Sequence, residues 1–520
     1  MESPGEDPYL NTLMARAMVR GYQGKDLKEE GRVAACIKHF AGYGAPDGGR
    51  EYDNVELSLR TLREDYLPSY AAAVDEGCHM AMSSFNTLDR IPSSGNKWLM
   101  RTVLRQEMCF HGVLISDYSA IEEMVNHGSA EDPRDAARQA IEAGMDIDMC
   151  SVAYIGHLAE LIREGIVEES LLDEAVLRVL TLKNDLGLFE NPFKDADAVK
   201  EQALLLCEKH RRAAKNLAAC SMVLLENDGI LPLAPGKQKL ALIGPHADNH
   251  GIYGSWSFPQ DVAQIVTVRQ GIDRIQPENV TCCTGSYMLA PNMCSRFGQF
   301  DTIDPEQTEK WLVQALEDAK QADTVVICLG EDTYQSGEAG SRTVLQISAL
   351  QRELLRKVHE VNENIVLVLF SGRPLETGEL TNYCKALLWA GMPGTEGGNA
   401  IGICQPEGRL SMSFPHAAAQ APLYYNHLPT GRPNLYGPQT TFCSGYIDQS
   451  CYARYPFGYG LSYTRFDYSP VTLSADTMDP TGCINASVTV TNTGDRPGTE
   501  TVFTGYCRQC LPSGSYAEGF

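Results

Sequence analysis

The sequence has few basic residues and no long apolar segment. Its 520 residues include 43 Lys and Arg against 67 Asp and Glu, which gives a formal net charge of −24 at pH 7. Proteins that bind nucleic acids neutralise phosphates with clustered Lys and Arg, so this balance argues against a nucleic-acid partner. Apolar runs such as Ile365–Phe370 are far shorter than the ~20 residues of a membrane-spanning helix. We therefore expect no membrane association.

A spaced cysteine framework and a visible signal peptide are also lacking. The 17 cysteines are an odd number, scattered from Cys36 to Cys510, as expected in a reducing compartment. The single C-x-x-C, Cys507 and Cys510, has no second pair and is weak evidence for a zinc or redox site. The first residues, MESPGEDP, have neither the basic start nor the apolar core of a signal peptide. These features predict a cytoplasmic protein.

The N-terminal part of the chain alternates short apolar runs with helical patterns, between Arg32 and Phe189. Such alternation is typical of parallel strand–helix units in an α/β fold. The predicted strands are Val33–Ile37, Met80–Ser83, Val113–Ser116 and Asp146–Met149. A closed (β/α)₈ barrel needs eight strands. We therefore predict a partial (β/α)₈ barrel over residues 1–193.

A second alternation follows a polar segment at residues 194–203. A helix is predicted over Leu204–Leu225, and helices over Glu306–Gln321 and Leu350–Asn362 separate continuously apolar strands at Leu240–Ile243, Thr324–Leu329, Ile365–Phe370 and Ala386–Trp389. Continuously apolar strands are typical of a parallel sheet covered on both faces. We predict an α/β sandwich over 194–465. The alternation in Ala486–Asn492 predicts a β-sandwich over 466–520, with about half of the ~100 residues that such a domain uses.

Several polar side chains follow the N-terminal strands. Asp117 directly follows the Val113–Ser116 run. A carboxylate at the carboxyl end of a barrel strand points into the mouth of the barrel. The alternative is that Asp117 only caps the next helix. Lys38 and His39 end an earlier strand, where they can bind vicinal hydroxyls and favour ionisation of a nearby carboxyl, or form a salt bridge at the rim. Phe85 and Tyr118 add aromatic rings on which sugars stack, although rings at such positions are often core.

The second alternation offers an acidic residue on a glycine-bracketed loop. Glu338 follows the Thr324–Leu329 strand, at the carboxyl edge where ligands meet parallel sheets. It can reach another domain, or form a surface ion pair with Arg342. The glycine-rich segment 391–398 lacks the lysine of a phosphate-binding loop and is interpreted as a tight turn before a helix.

Together these segments resemble glycoside hydrolase family 3, of the β-glucosidase type with a fibronectin III-like tail. The matching segments follow the family's order: Gly5–Leu10, Lys38–Phe40, Met82–Asn86, Phe110–Asp117, Ala143–Met149, Leu225–Leu233, Ile243–Pro245, Ser336–Glu338, Gly372–Pro374 and Tyr455–Tyr463. The resemblance implies that the chain is incomplete at both ends, because the family's first barrel strands, with two sugar-binding residues, have no counterpart before Gly5.

The same resemblance implies functional roles. It makes Asp117 the catalytic nucleophile and Glu338 the general acid/base, with Lys38, His39, Phe85 and Tyr118 as substrate-binding residues. It implies a retaining exo-glycosidase that removes terminal β-D-glucosyl residues from oligosaccharides or glucosides, without metal or organic cofactor. The same carboxyl pair serves pentoses, so a β-xylosidase or α-L-arabinofuranosidase stays an alternative. An inactive remnant and a homo-oligomer also stay open.

Overall fold

The computed structural model describes residues 3–259, 261–291, 293–294, 301–433, 441–479 and 481–503. Its N-terminal part contains a three-stranded parallel sheet, the N-terminal sheet, formed in spatial order by Cys36–Phe40, Met80–Ser83 and Val113–Ile115. Asn54–Val55, Thr87–Leu88 and Ile91–Pro92 make a small separate sheet. Helices surround the N-terminal sheet: Pro8–Gln23, Leu59–Thr61, Leu62–Tyr66, Leu67–Asp75, Trp98–Glu107, Glu123–Asn126, Pro133–Ala143, Tyr154–Leu158, Ala159–Arg163 and Glu169–Asp185.

Three helices begin with the same dipeptide, Asp-Pro. Asp7, Asp132 and Asp304 each accept a hydrogen bond from a backbone N–H of the first helical turn. The proline that follows has no N–H to leave unpaired, and its φ angle suits the first helical position. The helix that starts at Pro133 ends at Gly144, whose φ of 98° is left-handed. Local sequence thus determines where these helices start and stop.

A six-stranded sheet, the central sheet, dominates the C-terminal part. Its spatial order is Val223–Asn227, Ala386–Gly391, Ile365–Phe370, Thr324–Gly330, Leu240–Ile243 and Val280–Cys283. All neighbours are parallel except the Val223–Asn227 edge strand, which is antiparallel to Ala386–Gly391. The helices of this part are Ala198–Leu204, Glu208–Ser221, Val268–Asp273, Pro305–Gln321, Ala349–His359 and Gly397–Gly402.

The central sheet is buried on both faces. Along Thr324–Gly330, Val325, Ile327 and Leu329 pack into one apolar cluster, and Val326 and Cys328 pack into a second cluster on the opposite face. Successive side chains of a strand point to opposite faces, so a strand covered on both sides needs an unbroken apolar sequence. The prediction of a doubly covered parallel sheet is confirmed.

Residues 466–503 form two short antiparallel pairs. Phe466–Tyr468 pairs with Val490–Asn492, and Thr472–Leu473 pairs with Ala486–Ser487. The C-x-x-C motif of Cys507 and Cys510 lies outside the described residues. Among the residues the structure describes, none of the helices has the length and apolar character needed to cross a bilayer.

The observed elements differ from the predicted ones at several places. The strand predicted at Val33–Ile37 is found three residues later, at Cys36–Phe40. The helix predicted over Leu204–Leu225 is two elements, because the apolar Val223–Asn227 segment is an edge strand of the central sheet. The polar segment 194–203 contains most of the Ala198–Leu204 helix. The predicted Asp146–Met149 strand is reduced to one bridge between Ile147 and Ile115. Whether a short apolar segment forms a strand depends on pairing with a neighbouring strand, which a local sequence pattern does not reveal.

Candidate active site

Asp117 lies directly after the Val113–Ile115 strand and is buried, with 8% of its surface exposed. One carboxylate oxygen, Oδ1, accepts the Tyr118 backbone N–H at 2.7 Å, and Oδ2 lies 3.2 Å from Nε2 of His39. The next helix, Glu123–Asn126, has Glu122 at its N-cap position. Asp117 is therefore not the cap of that helix, and its carboxylate lies between the Tyr118 N–H and the His39 ring.

His39 and Lys38 lie near the end of the Cys36–Phe40 strand, which the Met80–Ser83 strand separates from Val113–Ile115. The Tyr70 hydroxyl donates to the His39 carbonyl oxygen at 2.6 Å, which fixes the backbone next to Asp117. Lys38 is exposed on the same strand. Burial raises the pKa of the Cys36 thiol to about 12; Cys78 and Asp117 add to this rise, and Lys38 opposes it. Lys38 and Asp117 therefore both act on Cys36.

A cluster of aromatic rings extends from His39 along one side of the site. The His39 and Tyr43 rings lie edge to face with centroids 5.2 Å apart, and Tyr43 lies 5.8 Å from Phe85. Phe85 in turn meets Tyr52 edge to face at 5.0 Å. Phe85 is thus part of this cluster, whereas the Tyr118 side chain is 63% exposed and lies outside it. We call His39, Tyr43, Tyr52 and Phe85 the ring cluster.

Glu338 lies on a loop that follows the Thr324–Gly330 strand of the central sheet. A buried ion cluster stabilises this loop: Glu331 binds Arg342 at 2.6 Å and lies 3.3 Å from Nε of Arg373. Arg373 also donates to the Gly340 carbonyl oxygen at 2.8 Å. Arg342 therefore pairs with Glu331, and the alternative of a surface ion pair between Arg342 and Glu338 is wrong.

The Glu338 loop contacts a loop of the N-terminal part. The Tyr52 hydroxyl donates to Oε1 of Glu338 at 2.6 Å, and the Ser341 hydroxyl donates to the Gly49 carbonyl oxygen at 2.7 Å. Glu51 accepts the Ala339 backbone N–H. We call residues 49–52 and 338–341 the junction. Tyr52 belongs to both the junction and the ring cluster, so the rings connect Glu338 with His39 and Asp117.

Negative charge accumulates around this site. Burial raises the pKa of Glu123, and Asp117, Glu338 and Glu122 add to that rise. Burial also raises the pKa of the Tyr52 hydroxyl, as does its hydrogen bond to Glu338. A phenol with a raised pKa keeps its proton and acts as a donor. The site therefore combines carboxyl groups from both parts of the chain with a phenol hydroxyl that donates a hydrogen bond.

Sequence analysis missed Glu51, Tyr52 and Glu123. None of them ends a predicted strand, and the contacts that make them part of the site come from a distant loop or from the fold. The only local signal was the glycine-rich, charged stretch around residues 48–53, which has the composition of a turn.

An α/β chain that brings an aspartate and a glutamate from two sheets to one aromatic-lined site has the layout of a hydrolase that works with paired carboxyl groups. The comparison with known families gives the class: the Glycosyl hydrolase family 3 N terminal domain matches residues 1–182, and the Glycosyl hydrolase family 3 C-terminal domain matches 222–463. The chain belongs to glycosyl hydrolase family 3, as the sequence resemblance implied.

Individual relatives agree with this membership. A periplasmic beta-glucosidase of Salmonella typhimurium is 40% identical over 96% of this chain and 67% of its own length. A beta-xylosidase of Formosa agariphila is 32% identical over 96% of this chain and 69% of its own. The crystal structure of a beta-glucosidase from Listeria innocua in complex with isofagomine has a TM-score of 0.89 at 39% identity, over 96% of this chain and 68% of that one.

The prediction of a cytoplasmic protein is wrong. The Salmonella relative is a periplasmic enzyme by its name, and it matches nearly the whole of this chain. The prediction was based on the first residues and on the scattered cysteines. Because the chain matches 67% of its relative's length, its first residues give no information about a signal peptide. A count of cysteines does not establish the redox state of the compartment.

Proposed function

We propose that this chain is a retaining exo-glycosidase of the β-glucosidase type, which removes terminal non-reducing β-D-glucosyl residues from oligosaccharides or glucosides. The observation that carries the proposal is the continuous set of contacts from Asp117 through His39, Tyr43, Phe85 and Tyr52 to Glu338. It brings two carboxyl groups with different surroundings to one site. The 40% identity to a beta-glucosidase supports the substrate class.

Asp117 is the proposed nucleophile. Its carboxylate accepts a backbone N–H, a contact that favours the ionised form, and lies 3.2 Å from the imidazole of His39. It attacks the anomeric carbon of the terminal sugar as the bond from that carbon to the leaving oxygen breaks. The product of this step is a covalent glycosyl ester of Asp117.

Glu338 is the proposed general acid and base. It gives its proton to the leaving oxygen in the first step and takes a proton from water in the second. That water attacks the anomeric carbon, releases the sugar with its original configuration and restores the Asp117 carboxylate. Retention requires the two carboxyl groups about 5–5.5 Å apart in the productive complex. No metal or organic cofactor takes part in either step.

Four side chains are proposed to bind the sugar. Lys38 and His39 can donate to its hydroxyl groups, and Phe85 offers an apolar surface in the ring cluster. Tyr118, exposed beside the nucleophile, is suited to stack against the ring or the leaving group.

We also propose a division of the chain into domains, which goes beyond the observed sheets. We assign residues 1–193 to a partial (β/α)₈ barrel, 194–465 to an α/β sandwich, and 466–520 to an incomplete fibronectin III-like β-sandwich. The parallel N-terminal sheet and the matched range 1–182 support the first assignment, and the central sheet and the matched range 222–463 support the second. The antiparallel pairs between 466 and 492 support the third.

The first prediction concerns the nucleophile. We expect the parent chain to hydrolyse 4-nitrophenyl β-D-glucopyranoside with retention of configuration, measured by proton NMR of the first-formed glucose. Asp117→Ala should lower kcat/KM at least ~1,000-fold, about 4 kcal/mol of barrier. Asp467→Ala is the control, because Asp467 is exposed on the Phe466–Tyr468 strand.

Two results would count against this assignment. Asp117→Ala activity within tenfold of the parent would remove Asp117 as nucleophile, and no hydrolysis of any glycoside by the parent would favour an inactive chain. The β-xylosidase alternative rests on the 32% identical relative. It is favoured if the β-D-xylopyranoside is the better substrate, and an α-L-arabinofuranoside completes the panel.

A further inference from the structure

The junction contains a tyrosine that sequence analysis did not connect with catalysis. Tyr52 is in a left-handed backbone conformation, with φ of 69°, and its hydroxyl lies 2.6 Å from Oε1 of Glu338. The two residues are 286 positions apart in sequence. A contact between such distant segments exists only when the two parts of the chain are docked.

Two further contacts join the same two segments next to this hydrogen bond. Glu51 accepts the Ala339 N–H, and Gly49 accepts the Ser341 hydroxyl. On the Glu338 side, Gly337 and Ala339 have φ angles of 92° and 57°. The backbone thus turns sharply on both sides of Glu338, and the junction determines where its carboxyl group lies.

Acidic groups of other elements lie close to Glu338. Glu123 lies near enough for Glu338 to raise the pKa of the Glu123 carboxyl, and Glu338 also adds to the rise that burial causes in the pKa of Tyr43. Glu51 contributes a second carboxyl group at the junction. Arg373, on the central-sheet side, donates to the backbone of the same loop. A hydroxyl that donates to Glu338 offsets this concentration of negative charge.

We propose that Tyr52 is a positioning residue for Glu338: its hydroxyl, which donates to Oε1, holds the carboxyl group at the junction. This proposal rests on the proposed function, in which Glu338 alternates between acid and base. A donor that stabilises the carboxylate assists the second step, where Glu338 must accept a proton. The ring of Tyr52 keeps a separate role, in packing against Phe85.

The Tyr52→Phe variant tests the proposal because it removes the oxygen and keeps the ring. Tyr468→Phe is the matched control, since its hydroxyl also donates to a glutamate, Glu500, at 2.6 Å, but outside the junction. The first measurement is amide hydrogen exchange of the 336–342 segment by mass spectrometry, which needs no activity. We expect Tyr52→Phe to accelerate this exchange ~5-fold or more, and Tyr468→Phe to leave it unchanged.

A second background makes the exchange measurement specific to the carboxyl group. In a Glu338→Ala background, Tyr52→Phe should add less than about twofold, because the partner is already absent. An equal effect of Tyr52→Phe in both backgrounds would overturn the proposal.

The second measurement is the pH dependence of kcat/KM. Its basic limb reports loss of the proton from the acid in the free enzyme. Tyr52→Phe should move that limb to higher pH, and Tyr468→Phe should leave it in place. An unmoved limb in an active enzyme would overturn the proposal. If the parent chain shows no hydrolysis, the proposed function fails, and the exchange ratios still decide whether Tyr52 acts on Glu338.

Discussion

At the scale of single residues, Asp117 and Glu338 differ in what surrounds each carboxyl group. Asp117 is buried, with a backbone N–H at 2.7 Å and the His39 ring at 3.2 Å. Glu338 lies on a loop and meets a phenol hydroxyl at 2.6 Å. Both carboxyl groups thus accept a hydrogen bond, Asp117 from a backbone N–H and Glu338 from a phenol. Their surroundings differ in burial and in the part of the chain that supplies the donor.

A neighbouring carboxyl group gives a pH-dependent prediction. The pKa of Glu123 is raised from 4.5 by burial, then by Asp117 and Glu338. The folded chain therefore holds this proton more tightly than the unfolded chain, and stability falls as pH rises from 4.5 through the raised value. Glu123→Gln removes the titration. We expect the melting temperature of the variant, relative to the parent, to increase across this range.

The control for this prediction is Glu122→Gln, which changes an exposed glutamate one residue earlier. Both variants and the parent should be melted in the same buffers between about pH 4 and pH 8. A difference between Glu123→Gln and the parent that stays constant with pH would contradict the expectation.

At the scale of elements, the Glu338 loop depends on ionic contacts beneath it. Glu331, 1% exposed, binds Arg342 at 2.6 Å and lies 3.3 Å from Arg373. Removing one member of a buried ion cluster leaves the others without compensation. We expect Glu331→Gln to lower the free energy of unfolding by about 3–5 kcal/mol, measured by urea denaturation, and to lower activity because the loop loses its support.

A surface ion pair provides the comparison for Glu331. Glu353 binds Arg356 at 2.7 Å on the Ala349–His359 helix, with about half of both side chains exposed. Glu353→Gln should cost about 0–1 kcal/mol, because solvent screens such pairs. Equal losses for the two variants would show that burial of the Glu331 cluster is not what stabilises the loop.

At the scale of the whole molecule, the first residues are attached to the C-terminal part. Glu6 accepts the Ser413 backbone N–H at 2.7 Å, the Ser413 hydroxyl at 2.9 Å and the Tyr425 backbone N–H at 2.9 Å. The backbone N–H of Glu6 donates to the Ser411 carbonyl oxygen at 2.9 Å. The first residues thus attach the two parts of the chain at a place separate from the junction.

The Glu6 attachment gives a prediction about stability. Glu6→Gln replaces one acceptor oxygen by an NH₂ group, which cannot accept from the same donors. Hydrogen bonds to charged groups contribute about 1.5–3 kcal/mol, so we expect a stability loss of that size by calorimetry. Glu64→Gln is the control, because its exposed pair with Arg60 should contribute little. A Glu6 variant as stable as the Glu64 variant would contradict the prediction.

Local sequence determined the elements and half of the site. Unbroken apolar runs such as Ile365–Phe370 predict strands buried on both faces, because alternate side chains enter opposite cores. Asp117 and His39 were likewise predicted at strand ends, and they meet because both of their strands pair in parallel with the Met80–Ser83 strand between them. Where local patterns failed, at Val223–Asn227, an edge strand depended on a partner more than 150 positions away in the numbering.

Only the tertiary structure decided which polar groups are paired. Arg342 lies four positions from Glu338 in sequence and yet binds Glu331, whereas Tyr52, distant in sequence, binds Glu338. Side-chain partners follow from the path of the backbone and from the cost of burying an unpaired charge, and a one-dimensional pattern contains neither. The sequence alone thus determined the sheets and the residue types of the chemistry, and docking of the two parts determined how those residues are held.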